Sequence, residues 1–198
     1  YTYDSYPNFA YCLIEDPKHS DDLNDRKWSR NLTEVRSICP HFGIMEQQSG
    51  ANGWNTRMEA PAPKPGQMML WAMQSIAHGA DYVSFFRWRT ATMGTEIYWH
   101  GILDYDNRDN RKLAEVHRIW NRTKAISEIA GADYQSAFAM VRDYDNIWDS
   151  QVDVWHSRLA KKSEKEIFVA SQINHTPMDV VYLLDSTEAE ELLKYPVL

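Results

Sequence analysis

The pattern of apolar and polar positions divides the chain into short extended segments separated by helix-length stretches. Residues 1–7 read as the end of a strand running through Asp4, Ser5 and Tyr6 into a loop closed by Pro7. Leu23, Trp28, Leu32, Val35 and Ile38 recur at mostly helical spacing, which predicts a helix over about residues 22–38, capped by Asp21 or Asp22 and stopped by Pro40. A short apolar strand, Phe42 to Met45, then ends at Glu46. Residues 47–65 carry Gly50, Asn52, Gly53, Trp54 and the prolines 61, 63 and 65, and read as a long connection of the kind that is usually functional or disordered. From Gln67 to His78 the chain is apolar almost all round, so a buried helix is expected there, with Gly79 as its stop. Val83 to Trp88 has the β-branched and aromatic content of a strand covered on both faces.

Strand, loop, helix and strand in that order make a βαβ unit, which requires a parallel pair. A further loop holds Gly94, Glu96, Trp99 and His100, and Leu113, Val116, Ile119, Trp120 and Ile126 predict a long amphipathic helix over residues 108–130. The pattern changes at Gly131-Ala132-Asp133. Beyond it, a strand is expected at Ala137 to Val141, helix over about 151–173, a strand at Val180 to Leu184 and a helical start at 187–194. That order suits the opening half of a separate, open α/β domain, so the expected domains are residues 1–130 and 131–198.

Charge narrows the function. A formal net charge of −7 and a pI near 5.5 argue against nucleic-acid binding, which needs a basic face. No apolar run is long enough to cross a bilayer, and the first residues lack the features of a signal peptide. A cytoplasmic chain that begins inside a longer protein is therefore expected. Cys12 and Cys39 are too few for a disulfide framework or a zinc site and read as reduced thiols. The 8 Trp and 11 Tyr sit largely beside Gly, Asn, Asp and Arg, outside apolar runs. Flat rings with polar tips suit sugars, whose C–H faces stack while their hydroxyls seek donors and acceptors.

In parallel β/α barrels, reactive groups sit at the C-terminal ends of strands and on the loops that follow. The candidates at such ends are Asp4 and Tyr6, Glu46, and Arg87 and Arg89. A carboxylate ending an apolar strand is costly unless paired. Glu46 is thus either neutralised by Arg87 or Arg89, or held for chemistry beside the aromatic loop that follows it. Glu96 and His100 form a second cluster. With no third partner they make a poor metal site, and no metal or other cofactor is expected; sugar hydroxyls suit them better.

Several ordered blocks resemble the β-galactosidases of glycoside hydrolase family 42. They are Asp4-Ser5-Tyr6-Pro7, Met45-Glu46-Gln47, Asn52-Gly53-Trp54, the Pro-Lys-Pro-Gly stretch 63–66, and Leu70-Trp71. Further along come Ala77-His78-Gly79-Ala80-Asp81, Phe85-Phe86-Arg87-Trp88-Arg89 and residues 94–101. The resemblance implies the last strands of a (β/α)8 TIM barrel in residues 1–130, and the first part of an open, amidotransferase-like α/β trimerisation domain in residues 131–198. It also implies that Glu46 is the catalytic nucleophile, that Trp54 lines the galactose subsite, that Glu96 and His100 bind galactose hydroxyls, and that Tyr6 lies near the nucleophile.

The implied activity is retaining hydrolysis of terminal β-D-galactose residues through a galactosyl-enzyme intermediate, which needs a second carboxyl as acid and base. In the family that residue belongs to an Asn-Glu pair on an earlier strand, and no Asn-Glu dipeptide occurs in this sequence. Asp4, Glu59 and Glu96 are the local carboxyls to weigh. The expectation is a chain that is inactive alone and works with a galactoside substrate, with the remainder of the same enzyme, and as a homotrimer at full length. The alternative is a non-catalytic carbohydrate-binding or assembly fragment. An incomplete barrel should also leave its first strand with an open edge.

Overall fold

The computed structural model describes residues 1–8, 25–54, 57–152 and 157–198, with the backbone alone for residues 25–27, 57–59 and 157–160. Cys12, Asp21 and Asp22 lie outside the described residues, as does the side chain of Glu59. The chain forms two compact units, Tyr1–Trp28 with His41–Ala132, and Ser29–Pro40 with Asp133–Leu198. Each is an α/β unit with a parallel sheet.

In the first unit, β1 (Thr2–Ser5), β2 (Phe42–Gln48) and β5 (Ala80–Phe86) form a parallel sheet in the order β1-β2-β5. β2 runs past Glu46, where the loss of apolar character predicted its end. Gln47 and Gln48 are fully buried, and their amide nitrogens find acceptors: Gln47 Nε2 donates to Ser5 O at 3.2 Å, and Gln48 Nε2 to Gly50 O at 3.0 Å. The long connection is also partly ordered as a hairpin, β3 (Asn52–Trp54) paired antiparallel with β4 (Arg57–Ala60). β5 starts earlier than its apolar run suggests and is not covered on both faces, since Tyr82 is 44% exposed. It is an outer strand of the three. β1 is the other outer strand, so among the described residues both edges lack a further partner strand.

Helix α2 (Gln67–Ala77) and helix α3 (Arg111–Ala125) close over β5. Met68 and Ala72 of α2 meet Ile102 and Ile119 in a buried cluster, with Val83, Phe85, Leu113 and Val116 packed against it. α3 is shorter than the predicted helix at both ends. Asn110 caps it, its side-chain oxygen accepting from Leu113 N at 3.0 Å, and a 3-10 turn at Ser127–Ile129 follows. α2 has no cap of its own. Glu115 of α3 replaces one, accepting from Gly66 N at 3.1 Å and Met69 N at 3.0 Å. A carboxylate at this helix N-terminus meets otherwise unsatisfied N–H groups and the positive end of the helix dipole.

In the second unit, β6 (Phe138–Asp143) and β7 (Met178–Leu183) run parallel. α4 (Tyr144–Val152) lies mostly where no element was expected, and α5 (Ser157–Ile173) packs Phe168 on Met178 and Val180. The part of α1 (Asp25–Ile38) from Ser29 onward belongs to this unit. Its buried Arg36 reaches the start of β7, donating to Met178 O at 2.9 Å and pairing with Asp179 at 2.8 Å. Short α6 (Ala189–Leu193) begins at Glu188, which forms a capping box with Glu191.

Candidate functional site

The C-terminal ends of the three parallel strands place the chemistry. Asp4 and Glu46 are register partners on β1 and β2, and Tyr6 follows directly on β1. The Tyr6 hydroxyl donates to Glu46 Oε2 at 2.6 Å. Glu46 is therefore met by a phenol. Of the two arginines expected as partners for it, Arg87 is paired with Glu96. Burial pushes the Tyr6 phenol well above its ordinary pKa, helped by the hydrogen bond to Glu46 and by the charges of Glu46 and Asp4. The proton thus stays on Tyr6, and Glu46 is the acceptor.

Trp99 ties this pair to the hairpin. Its ring is 7% exposed and meets Tyr6 edge-on at 5.5 Å, Trp54 at 4.9 Å and Phe86 at 6.2 Å. Four aromatic rings from four chain segments, Tyr6 among them, thus cluster at the Tyr6–Glu46 pair. Such a group offers apolar faces beside a carboxylate, as sugar binding requires. In the sequence, Trp99 stands out only as a neighbour of His100. The available signal was a tryptophan in a loop otherwise rich in polar residues and glycine.

The loop carrying Trp99 is pinned by its backbone. His100 N donates to Ala51 O at 2.8 Å, and a Cβ at Gly50 would come within 2.3 Å of His100 O, so only glycine permits that approach. Ile102 N donates to Arg87 O at 2.7 Å and Thr90 N to Leu103 O at 3.0 Å, which holds residues 100–103 beside residues 87–90. Ser49 Oγ donates to Phe86 O at 2.7 Å and joins the ends of β2 and β5.

Glu96 and His100 are held separately. Glu96 pairs with Arg87. His100 lies 3.6 Å from Asp104 through Nδ1, and its ring meets Tyr105 at 5.2 Å. Burial would raise the Asp104 pKa, but the hydrogen bond and charge of Lys112, with those of His100, outweigh it and hold the carboxyl below the ordinary range. The structure therefore joins Tyr6 and Glu46 directly and links Trp54 to them through Trp99. It gives Glu96 and His100 partners of their own.

The second unit has a cleft of about 560 Å³ lined by Arg30, Glu34, Arg142 and Glu164 among others. Four of its charged side chains pair with one another. Arg142 pairs with Glu34 at 3.1 Å and Glu164 at 2.8 Å, and Arg30 bridges to both carboxylates. Among the described residues no group of three or more His, Cys, Asp or Glu side chains is placed to hold a metal ion. No described helix is long and apolar enough to cross a membrane.

Comparison with known proteins agrees with the resemblance in the motifs. Residues 1–126 match the glycoside hydrolase 42 family model, described as β-galactosidase. The chain is 31% identical over 194 residues to the β-galactosidase LacZ of Heyndrickxia coagulans, covering 98% of this chain and 27% of that protein. It is 36% identical over 153 residues to β-galactosidase BgaH of Haloferax lucentense, covering 74% of this chain and 22% of the relative. Among solved structures, a polyextremophilic β-galactosidase from the Antarctic haloarchaeon Halorubrum lacusprofundi superposes with a TM-score of 0.71 at 27% identity, over 91% of this chain and 27% of that one. The β-galactosidase from Bacillus circulans sp. alkalophilus shares the fold with a TM-score of 0.74 at 22% identity, over 99% of this chain and 27% of its own. The chain spans 22 to 27% of the length of these relatives. With the family model covering residues 1–126, this chain belongs to glycoside hydrolase family 42, the β-galactosidase family.

Proposed function

We propose that this chain carries the nucleophile side of a retaining β-galactosidase site, with Glu46 as the nucleophile. The observation that carries the reading is the short Tyr6–Glu46 hydrogen bond at the strand ends, walled by Trp54, Trp99 and Phe86. Tyr6 occupies Oε2, which leaves Oε1 to attack the anomeric carbon of a terminal β-D-galactose residue. As the new C–O bond forms, the bond to the leaving oxygen breaks, and that oxygen takes a proton from the acid carboxyl. Water, deprotonated by the same carboxyl, then displaces Glu46 and releases galactose. Trp54 supplies an apolar face to the sugar, and Glu96 and His100, oriented by Arg87 and Asp104, take its hydroxyls.

The acid and base is assigned to a segment of a longer enzyme, with the three strands β1, β2 and β5 as the last of its (β/α)8 barrel. The second unit is assigned to an amidotransferase-like domain through which the full-length enzyme trimerises. Retaining chemistry needs the two carboxyls about 5–5.5 Å apart. Of the local carboxylates, Glu96 is committed to Arg87, and Asp4 is the register partner of Glu46 on the neighbouring strand. The same fact favours a second reading for the isolated 198-residue polypeptide, a carbohydrate-binding piece without turnover.

Two assays test these readings. In the full-length enzyme, Glu46→Ala should lower nitrophenyl β-galactoside hydrolysis by on the order of 10³-fold or more, with partial rescue by azide. Near-normal turnover by that variant would sink the assignment of Glu46. Appreciable hydrolysis by the 198-residue polypeptide alone would instead overturn the placement of the acid outside it.

A further inference from the structure

We propose that Lys112 of α3 is a positioning residue for sugar recognition, acting on His100 through Asp104 and Gly101. The inference rests on the reading of His100 as a ligand for galactose hydroxyls and deepens it.

Lys112 stands in the first turn of α3, where a cation opposes the helix dipole. A lysine there would ordinarily extend its charge into water, yet this one is only 7% exposed. Its ammonium donates to Gly101 O at 2.7 Å and to Asp104 Oδ1 at 2.8 Å. A buried cation at this end works against the helix and for the loop, whose carbonyl and carboxylate it satisfies. Asn110, the cap of the same helix, adds two contacts. Its Nδ2 donates to Ile102 O at 2.9 Å and to Asp104 Oδ2 at 3.1 Å. Residues 101–104 are thus fastened to the start of α3 by four side-chain bonds. A Cβ at Gly101 would come within 2.6 Å of Arg87 O, so the backbone next to His100 has little room to shift.

The effect on His100 follows from charge. Asp104 Oδ1, the oxygen that Lys112 holds, lies 3.6 Å from His100 Nδ1. Burial would raise the Asp104 pKa, and Lys112, by hydrogen bond and charge, leads the causes that hold it below the ordinary range. A carboxylate only accepts hydrogen bonds, so the neutral imidazole facing it carries its proton on Nδ1. Nε2 keeps its lone pair as an acceptor for a sugar hydroxyl, on a side chain still 24% exposed. At 3.6 Å the attraction is electrostatic, so it depends on Asp104 staying charged and in place. Without Lys112, Asp104 and the Gly101 carbonyl lose their shared cation. His100 then loses its orientation, and the loss falls on galactoside binding more than on the chemical step.

The test is a double-mutant cycle in the full-length enzyme with nitrophenyl β-galactoside. Lys112→Met keeps the length of the side chain and removes the charge; His100→Ala removes the imidazole. Lys112→Met should raise KM about five-fold, the scale of one lost hydrogen bond, with kcat changed by less than about two-fold. In the His100→Ala background, the same change at Lys112 should add almost nothing to KM. A purely structural lysine would instead weaken the enzyme equally in both backgrounds. An unchanged KM in Lys112→Met, equal effects in the two backgrounds, or a loss confined to kcat would each overturn the proposal. Lys112→Gln, which keeps a donor for Gly101 O without the charge, takes its place if Lys112→Met does not fold, with the same outcomes. His100→Ala alone separates the two ideas. If its KM is near normal, the reading of His100 has failed; if its KM rises while the cycle is additive, only the role of Lys112 has.

Discussion

At the level of single residues, the site turns on a proton kept where the sequence does not place it. Tyr6 is a phenol between two carboxylates, Glu46 and Asp4, and its ionised form is opposed by burial and by both charges. Because its folded pKa is raised above the ordinary value near 10, its contribution to stability is complete below about pH 10 and is lost as the pH rises toward the folded value. Tyr6→Phe should therefore flatten the alkaline side of a urea-midpoint-against-pH curve relative to the parent protein. An identical alkaline slope in the two proteins would contradict this placement of the proton. Tyr195, pushed up to about 12 by burial and by Asp179, keeps its own alkaline contribution in both proteins, so only the difference between the curves is diagnostic. Asp104 behaves oppositely. Its folded pKa lies below the ordinary one, so its stabilising pairing with Lys112 and His100 is present above the unfolded value and is lost on acidification through the folded one. Asp104→Asn should remove that acid dependence, measured in the same way.

At the level of elements, the sequence signals were strongest where one helix or strand carries its own instructions. The run Gln67 to Ala77 is apolar almost all round, and the helix there is found within one residue of its expected bounds. The signals failed where a neighbour supplies what the element lacks. β2 continues through Gln47 and Gln48 because backbone carbonyls beyond the strand accept from their amide N–H groups. Helix α2 begins without a local cap because Glu115, 49 residues away from Gly66, provides one. Glu115→Ala should thus destabilise the first unit by about 2 kcal/mol, a value at the upper end for a lost cap because the side chain is buried. Urea unfolding followed by tryptophan fluorescence would read it, and a change under about 0.5 kcal/mol would show that water replaces the cap adequately. The hairpin β3–β4 was invisible for a different reason: strands of three and four residues are too short to establish a period.

At the level of the whole molecule, each compact unit has a small parallel sheet. In the first unit, neither β1 nor β5 has an outer partner strand among the described residues, and open edges are templates for pairing with another chain. The 198-residue polypeptide should therefore self-associate, which size-exclusion chromatography with light scattering would detect; a monodisperse monomer would overturn this expectation. The second unit owes part of its cohesion to Arg36, whose guanidinium binds Met178 O and Asp179 beside Tyr134. Removing one member of so buried a pair costs about 3 kcal/mol, so Arg36→Ala should lower the urea midpoint clearly, while Arg36→Lys should recover only part of the loss.

The sequence by itself determined the α/β class, the parallel βαβ unit and, through its ordered motifs, membership of the β-galactosidase family. It could do so because apolar periodicity and short motifs are local properties of the chain. Which groups face one another was decided only by the tertiary structure. Tyr6 meets Glu46 across 40 residues, Arg87 is drawn to Glu96 and away from Glu46, and Trp99 turns inward while adjacent His100 does not. Those outcomes follow from strand register and from the competition of buried polar groups for a limited set of partners. No single stretch of sequence contains both sides of that competition.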